Sequence, residues 1–436
     1  MLPIMDEFGP PPSDDPLLLR RVAMISMHTS PLATLGGKDA GGMNVYVRDL
    51  AINIAKAGVP VDIFTRKTDP ERPTIQEIPL GARLINLDVG PAAPIEKNQL
   101  YDLVPAFTRA CVLFSMTEGI KYDVVHAHYW LSGMVAEALR PFWEAPVVLM
   151  FHTTADMKNA VLGGNDQESA LRQETEHALA LTADSLIAAN PDERADLIWT
   201  MGATDERVCT IPPGVDLSLF RPYDYHESRR ELGWSIKERI VLYVGRIDPI
   251  KGIDTLIDTM PLVMEPELHY VLIGGDLDAD GNPIGPLARV KERVDALGMS
   301  RRCRYLGAQP QDLLPLYYSA SDVVAVPSRY ESFGLVAVEA MATGTPVIAS
   351  SVGGLTFTVE DGRNGLLVPY GNPRALARAI DRLLEDDDFR EAMSFHAAED
   401  AQRFSWQAVA EQVLHVYQRL AEGYRADLCC AEEIYA

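Results

Sequence analysis

Short apolar runs alternate along the chain with longer stretches that carry apolar residues on one helical face. The short runs are rich in β-branched residues, which is typical of strands buried on both faces of a parallel sheet. They predict strands at residues 22–25, 61–65, 123–126, 147–151, 185–188, 240–244, 270–273, 322–326, 347–349 and 365–368. Helical periodicity is clear at residues 44–56 and at residues 406–420. Strands that alternate with helices in this way predict parallel sheets with helices on both sides.

The predicted strands are too many for one sheet of the usual width, so we expect an α/β fold with two doubly wound sheets. The sequence Pro212-Pro213-Gly214 interrupts the pattern and marks the best boundary. We therefore expect a first domain at residues 21–210 and a second at residues 215–403. Residues 1–20 and 423–436 are expected to be tails.

Composition limits the possible partners. The chain of 436 residues has 39 Lys and Arg against 62 Asp and Glu, a formal net charge of −23. This excess disfavours nucleic acid or an anionic membrane surface as a partner, because both would be repelled. It does not exclude a small phosphorylated ligand, which needs only a few local cations.

The sequence also indicates a compartment. No apolar run approaches the ~20 residues of a membrane helix, and residues 1–20 lack the basic start and apolar centre of a signal peptide. The five cysteines are scattered, odd in number and form no C-x-x-C motif. We therefore expect reduced thiols, no zinc site and a cytoplasmic protein without a transmembrane segment.

Three segments rich in glycine or charge follow predicted strands, where ligands bind in open α/β sheets. The loop at residues 36–44 offers glycine amides and a helix N-terminus to an anion. Residues 245–252 add two cations that suit a diphosphate. Residues 331–339 carry two carboxylates that can accept hydrogen bonds from sugar hydroxyls. The first loop does not match G-x-G-x-x-G, which disfavours a nicotinamide-dependent oxidoreductase.

Histidines follow two other predicted strands. His126 and His128 share one strand face, but no third ligand has matching spacing, so we expect no metal site. His152 directly follows the strand at residues 147–151 and is a candidate site residue.

Together these residues resemble the retaining GT-B glycosyltransferases of family 4, from residue 21 to about residue 420. The resemblance implies two Rossmann-like domains separated by a cleft, with residues 406–422 forming a helix that returns to the first domain. The first domain would bind the acceptor and the second the nucleotide sugar. The residues implied in catalysis or donor binding are Gly41, Gly42, His152, Arg246, Lys251, Ala308, Glu331 and Glu339.

The implied roles are specific. Arg246 and Lys251 would hold the donor diphosphate, together with the Gly41 and Gly42 amides. Glu339 would bind the ribose, and the backbone near Ala308 would receive the base. Glu331 would bind the transferred sugar, which His152 would support.

Segments at residues 27–31, 39–46 and 128–133 resemble in particular the family members that transfer N-acetylglucosamine from UDP-N-acetylglucosamine to inositol 3-phosphate. A lysine, an arginine and two hydroxyls suit a phosphate dianion. The loop at residues 33–39 departs from the Gln-Pro-Gly-x-Gly-Asp usual in the family. The implied acceptor residues are His28, Asn44, Lys97, Tyr129, Thr153 and Arg172.

Two alternatives remain open at this point. Bacterial sucrose-phosphate synthases share the same layout, so the acceptor could be fructose 6-phosphate. A non-enzymatic two-domain sugar-binding protein would need no catalytic site. The resemblance implies front-face attack with retention, no cofactor, and a homodimer.

Overall fold

The computed structural model describes residues 19–33, 41–162, 167–426, 428 and 429. Among these residues, eight strands lie in the first half. They are β1 (Val22–Ile25), β2 (Val61–Arg66), β3 (Ile75–Ile78), β4 (Ala82–Leu87), β5 (Val124–His128), β6 (Val147–Met150), β7 (Ser185–Ala188) and β8 (Val208–Thr210). They form one sheet in the order β3-β4-β2-β1-β5-β6-β7-β8, parallel except for β3.

The second half contains another parallel sheet and a small hairpin. Its strands are β9 (Arg239–Val244), β10 (Leu268–Ile273), β11 (Asp276–Leu277), β12 (Pro283–Ile284), β13 (Cys303–Gly307), β14 (Val323–Val326), β15 (Val347–Ser350) and β16 (Gly365–Val368). The six-stranded sheet has the order β13-β10-β9-β14-β15-β16, and β11 pairs with β12. Two sheets that are parallel apart from β3, with helices between their strands, confirm the expected α/β fold.

Helices connect the strands of both sheets. In the first half they are α1 (Gly42–Lys56), α2 (Lys97–Leu100), α3 (Val104–Glu118), α4 (Trp130–Trp143), α5 (Ala155–Leu162), α6 (Ala170–Thr182) and α7 (Pro191–Trp199). In the second half they are α8 (Tyr225–Glu231), α9 (Ile253–Thr259), α10 (Gly285–Ala296), α11 (Leu314–Ser319), α12 (Leu335–Ala342), α13 (Leu355–Thr358), α14 (Pro373–Glu385) and α15 (Asp387–Asp400). The last is α16 (Trp406–Ala421). Among the described residues, no helix combines the length and apolarity needed to cross a membrane.

Both faces of the first sheet are buried, which explains its continuous apolar runs. Along β1, Val22 and Met24 enter a core shared with α1 and α16, while Ala23 and Ile25 enter a second core with α3 and α4. Strands β3, β4 and β13 were not predicted because Glu77, Arg83 and Arg304 interrupt their apolar patterns.

The final helix returns to the first sheet, as expected. The Trp406 ring lies 5.5 Å from the Tyr46 ring on α1, and Tyr417 Oη lies 2.6 Å from His126 Nδ1 on β5. Helix α16 therefore supports β5, the strand that leads into the cleft.

The expectation that all the cysteines are free thiols is wrong for one pair. Cys209 on β8 forms a disulfide with Cys429, 220 positions later. Leu428 is fully buried, so this part of the expected C-terminal tail packs on the first half of the protein. Spacing along the chain could not reveal the pair, because the return of α16 brings the two cysteines together. Residues 1–18, most of the expected N-terminal tail, lie outside the described residues.

Candidate active site

A cleft of about 740 Å³ lies where the carboxyl ends of the two sheets face each other. The predicted residues that line it are His28, Gly41, Gly42, Asn44, Tyr129, His152, Thr153, Arg172, Arg246, Lys251, Ala308, Glu331 and Glu339. Lys97 begins α2, and its side chain lies outside the described part of the chain. The structure thus brings together candidates that are up to 311 positions apart along the chain, from His28 to Glu339 (339 − 28).

Two strands of the first sheet end in left-handed backbone at non-glycine residues. Tyr129 after β5 has φ 78°, and His152 after β6 has φ 62°. Such conformations cost of order 1–3 kcal/mol each and persist where the surrounding structure enforces them. Here β5 and β6 are neighbours, so the two turns direct both residues to the same part of the cleft.

The side of the cleft that the sequence predicts to bind the donor, called the donor side below, is organised around an ion pair. Lys251 Nζ lies 2.6 Å from Glu331 Oε2, which also accepts a hydrogen bond from Ser328 Oγ at 3.2 Å. Gly354 allows this loop to come close, since a Cβ there would lie 2.0 Å from the Ser332 carbonyl oxygen. Arg246 is half-exposed on the same side, with Nη2 3.9 Å from Asp248. This arrangement can present two cations to a diphosphate while it holds Glu331 in place.

Glu339 lies on α12 and is almost fully buried. Its Oε2 accepts a hydrogen bond of 2.8 Å from Tyr318 Oη. Burial raises the pKa of Glu339 to about 7, and the nearby charge of Asp49 adds to the increase. The carboxyl group can therefore change its charge close to neutral pH.

Gly42, the first residue of α1, faces the second half of the protein closely. A Cβ at Gly42 would lie 3.1 Å from Leu335 Cδ1. The Gly41 amide donates to Asn44 Oδ1, while Asn44 Nδ2 donates to Thr29 Oγ1 and to the Ser30 carbonyl. Asn44 was predicted to contact the acceptor, and the structure shows it buried and holding the loop around α1.

Three histidines lie close together, and one of them, His152, lines the cleft. His128 Nδ1 is 3.2 Å from His152 Nε2, and the rings of His126 and His128 are 4.2 Å apart. Desolvation lowers the pKa values of His126 and His152 to about 3, and that of His128 is also far below its ordinary value. His152 therefore faces the cleft as a neutral hydrogen-bonding group.

The side of the cleft that the sequence predicts to bind the acceptor, called the acceptor side below, contains a buried arginine. Arg172 on α6 is 2% exposed and lies 4.7 Å from the centre of the Tyr129 ring. Its Nε donates to Glu176 Oε1 at 2.7 Å, and its Nη2 donates to the Thr153 carbonyl oxygen at 2.7 Å. The Tyr129 ring is also 4.4 Å from the His28 ring. Four of the predicted acceptor residues thus form one connected group.

Sequence reasoning missed several residues that line the cleft. Lys158 and Glu168 lie beside Arg172, and Gln309, Tyr330 and Ser332 lie on the donor side. The sequence could have indicated two of these residues, Glu168 and Ser332. Glu168 stands four positions before Arg172, and Ser332 directly follows Glu331. No sequence pattern indicated Lys158 as a site residue, because a lysine on a short helix is usually solvated.

Family models match both halves of the chain. Residues 41–214 match the model described as "Glycosyl transferase 4-like domain", and residues 224–400 match "Glycosyl transferases group 1". The first match ends at Gly214, the last of the three residues at which the sequence pattern breaks.

Named relatives extend over nearly the whole chain. The D-inositol 3-phosphate glycosyltransferase of Corynebacterium jeikeium is 41% identical over 93% of this chain and 99% of its own length. The protein of the same name from a Nocardioides species is 40% identical over 94% of this chain and 93% of its own length. Among solved structures, the sucrose-phosphate synthase of Thermosynechococcus elongatus is 38% identical, with a TM-score of 0.84 over 93% of this chain and 100% of that one.

A more distant structure shares the fold. WaaG, a glycosyltransferase of lipopolysaccharide biosynthesis, superposes with a TM-score of 0.67 at 17% identity, over 92% of this chain and 100% of that one.

Proposed function

This chain belongs to the GT-B glycosyltransferases of family 4, and we propose that it transfers a sugar from a nucleotide sugar to inositol 3-phosphate, with retention at the anomeric carbon. The proposed donor is UDP-N-acetylglucosamine, as the sequence resemblance implies. The relatives named D-inositol 3-phosphate glycosyltransferase, at 40–41% identity, support the acceptor. That the chain is an enzyme of the hexosyltransferase kind follows from its family.

The observation that carries the proposal is the presence of two sets of cations in one cleft. Arg246 and Lys251 line its donor side, and Lys158 and Arg172 line its acceptor side. One nucleotide sugar needs only one of these sets for its diphosphate. The second set therefore supports an acceptor that carries its own phosphate.

In the proposed reaction, the acceptor hydroxyl attacks the anomeric carbon from the face on which the diphosphate leaves. The bond from the anomeric carbon to the diphosphate oxygen breaks as the new glycosidic bond forms. The hydroxyl proton passes to the leaving diphosphate. Arg246, Lys251 and the amides of Gly41 and Gly42 stabilise the negative charge that develops there.

The remaining site residues position the substrates. His152 is neutral, so we assign it to hydrogen bonding with the donor sugar rather than to acid or base catalysis. Closure of the two halves around the substrates would exclude water from the cleft and so suppress hydrolysis of the donor.

An acceptor screen tests the proposal directly. The purified enzyme is incubated with UDP-N-acetylglucosamine or UDP-glucose, and each donor is paired in turn with inositol 3-phosphate, fructose 6-phosphate and unphosphorylated inositol. We expect turnover with inositol 3-phosphate and a product of retained configuration by NMR. Turnover with UDP-glucose and fructose 6-phosphate alone would instead favour the sucrose-phosphate synthase alternative, which the 38% identical structure supports.

The cytoplasmic location and the homodimer expected from the sequence stay part of this proposal. Light scattering of the purified protein measures the oligomeric state.

A further inference from the structure

Glu168 lies between the two cations on the acceptor side of the cleft. Its Oε1 atom is 2.6 Å from Lys158 Nζ and 2.8 Å from Arg172 Nη1. All three side chains line the cleft, together with Tyr129 and Thr153. A single carboxylate oxygen therefore stands where an oxygen of a bound anion would meet both cations.

Arg172 requires a partner at this position. A guanidinium that is 2% exposed needs its charge compensated and its donors filled, and Glu176 at 2.7 Å supplies one counter-charge. Arg172 Nε donates a hydrogen bond to Glu176, and Nη2 donates one to the Thr153 carbonyl. The remaining nitrogen, Nη1, is the one that faces Glu168. Glu168 therefore neutralises the last donor edge of a buried cation.

The contact between Glu168 and Arg172 is nevertheless imperfect. Within the described residues, Arg172 Nη1 makes no hydrogen bond of acceptable angle, although Glu168 Oε1 is close enough for an ion pair. Arg172 and Lys158 outweigh burial and lower the pKa of Glu168, so the carboxylate is charged at neutral pH. One oxygen of a singly charged carboxylate contacts both cations. The three oxygens of a phosphate could contact them better.

We propose that Glu168 is an internal stand-in for the acceptor phosphate, which holds Lys158 and Arg172 until a phosphomonoester displaces it. Lys158 then becomes a second phosphate-binding residue beside Arg172. A phosphomonoester carries close to two charges at neutral pH and competes well with one carboxylate. A neutral polyol brings no charge and leaves Glu168 in place, so Glu168 contributes to specificity for phosphorylated acceptors. The identity of that acceptor rests on the proposed function, but the exchange of anions does not.

Inorganic phosphate is the probe that tests this exchange. Its affinity for the full-length protein is measured by titration calorimetry at pH 7.5 for the wild type, Glu168→Gln and the double variant Glu168→Gln/Lys158→Met. Glu168→Gln should bind phosphate about tenfold more tightly than the wild type, because one competing charge is gone. The double variant should lose that gain, which separates this subsite from the donor diphosphate side. Glu174→Gln, exposed on α6, is the matched control and should bind like the wild type.

The kinetic readout concerns KM. In Glu168→Gln, the KM for inositol 3-phosphate should fall while kcat stays within a few-fold of the wild type, and melting curves check that the variant is folded. An unchanged affinity for inorganic phosphate in Glu168→Gln, or a gain that survives Lys158→Met, would overturn the inference. A gain in phosphate affinity without any turnover of inositol 3-phosphate would instead refute the proposed function and leave the inference standing.

Discussion

Ser332 Oγ donates a hydrogen bond of 2.7 Å to the carbonyl oxygen of His152. The two residues belong to opposite halves of the protein. Ser332 directly follows Glu331 on the donor side, and His152 directly precedes Thr153, whose carbonyl accepts from Arg172 at 2.7 Å. One hydrogen bond thus connects the backbone that carries the donor carboxylate with the backbone that contacts the acceptor cation.

We expect Ser332→Ala to lower kcat/KM for transfer by up to about tenfold, the scale of one lost hydrogen bond. The share of donor that is hydrolysed rather than transferred should increase, because the bond helps to close the cleft against water. Product analysis with a radiolabelled nucleotide sugar measures both rates. Ser300→Ala, which removes an exposed hydroxyl bonded to Asp295, is the control. A wild-type ratio of transfer to hydrolysis in Ser332→Ala would contradict this role.

Lys251 is the second position to test. Lys251→Ala should lower kcat/KM by about 100-fold, the typical loss when one group that stabilises transition-state charge is removed. It also leaves Glu331 without its partner at 2.6 Å, so the donor sugar should be less well placed. Steady-state kinetics at varied donor concentration separate the loss of transition-state stabilisation from the poorer placement of the donor sugar.

The control for this substitution is Lys291→Ala on α10. Lys291 also forms an ion pair of 2.6 Å, but with Asp295 and on the exposed surface. The Lys291→Ala substitution should leave kcat/KM within twofold of the wild-type value. Near wild-type transfer by Lys251→Ala would show that the diphosphate is held elsewhere.

Much of the fold and the donor site could be predicted because the evidence is local in the sequence. Strands buried on both faces appear as continuous apolar runs, and Arg246, Lys251 and Glu331 each follow such a run. The rule that ligands bind beyond the carboxyl ends of parallel strands then places them in one cleft. Strand β4 was missed because Arg83 pairs with the buried Asp62, an ion pair that apolar periodicity cannot signal.

Interactions between distant segments could not be predicted in this way. The bond between Ser332 and His152 spans 180 positions, and the disulfide spans 220. Glu168 stands four residues before Arg172, a spacing that on a helix would suggest an ordinary surface ion pair. Only the burial of Arg172 shows that this pair belongs to the site.

The pKa of Glu339, about 7, predicts a pH dependence of donor binding. Burial has raised it above its ordinary value, so the free enzyme is protonated there below about pH 7. A carboxylate accepts hydrogen bonds from ribose hydroxyls better than a carboxylic acid does. The KM for the nucleotide sugar should therefore increase as the pH falls from 8 to 6, while kcat changes less.

Two variants identify the group responsible for this effect. Glu339→Gln should have a higher donor KM that no longer depends on pH over this range. His152→Asn should keep the dependence, because the pKa of His152 is about 3 and the ring does not titrate there. A dependence that disappears in His152→Asn and survives in Glu339→Gln would reverse the assignment.

The disulfide between Cys209 and Cys429 predicts an effect on stability without an effect on catalysis. Closing a loop of 220 positions removes unfolded-state entropy worth about 5 kcal/mol in the chain-entropy model, an upper estimate. Reduction with dithiothreitol should therefore lower the Tm of the wild type, and Cys429→Ser should melt at that lower temperature with or without reductant. The kcat/KM should be unchanged, since neither cysteine lines the cleft.

Cys303→Ser is the control for this prediction, because Cys303 is a buried free thiol. Its variant should keep the response to dithiothreitol, whatever the substitution does to its own Tm.

Disulfides are rare in reducing compartments, so the same pair also tests the proposed cytoplasmic location. Alkylation of thiols in intact cells before lysis, followed by mass spectrometry, should find Cys209 and Cys429 both modified if the protein resides there. Recovery of the intact disulfide from such cells would contradict that location, because glutathione and thioredoxin keep cytoplasmic thiols reduced.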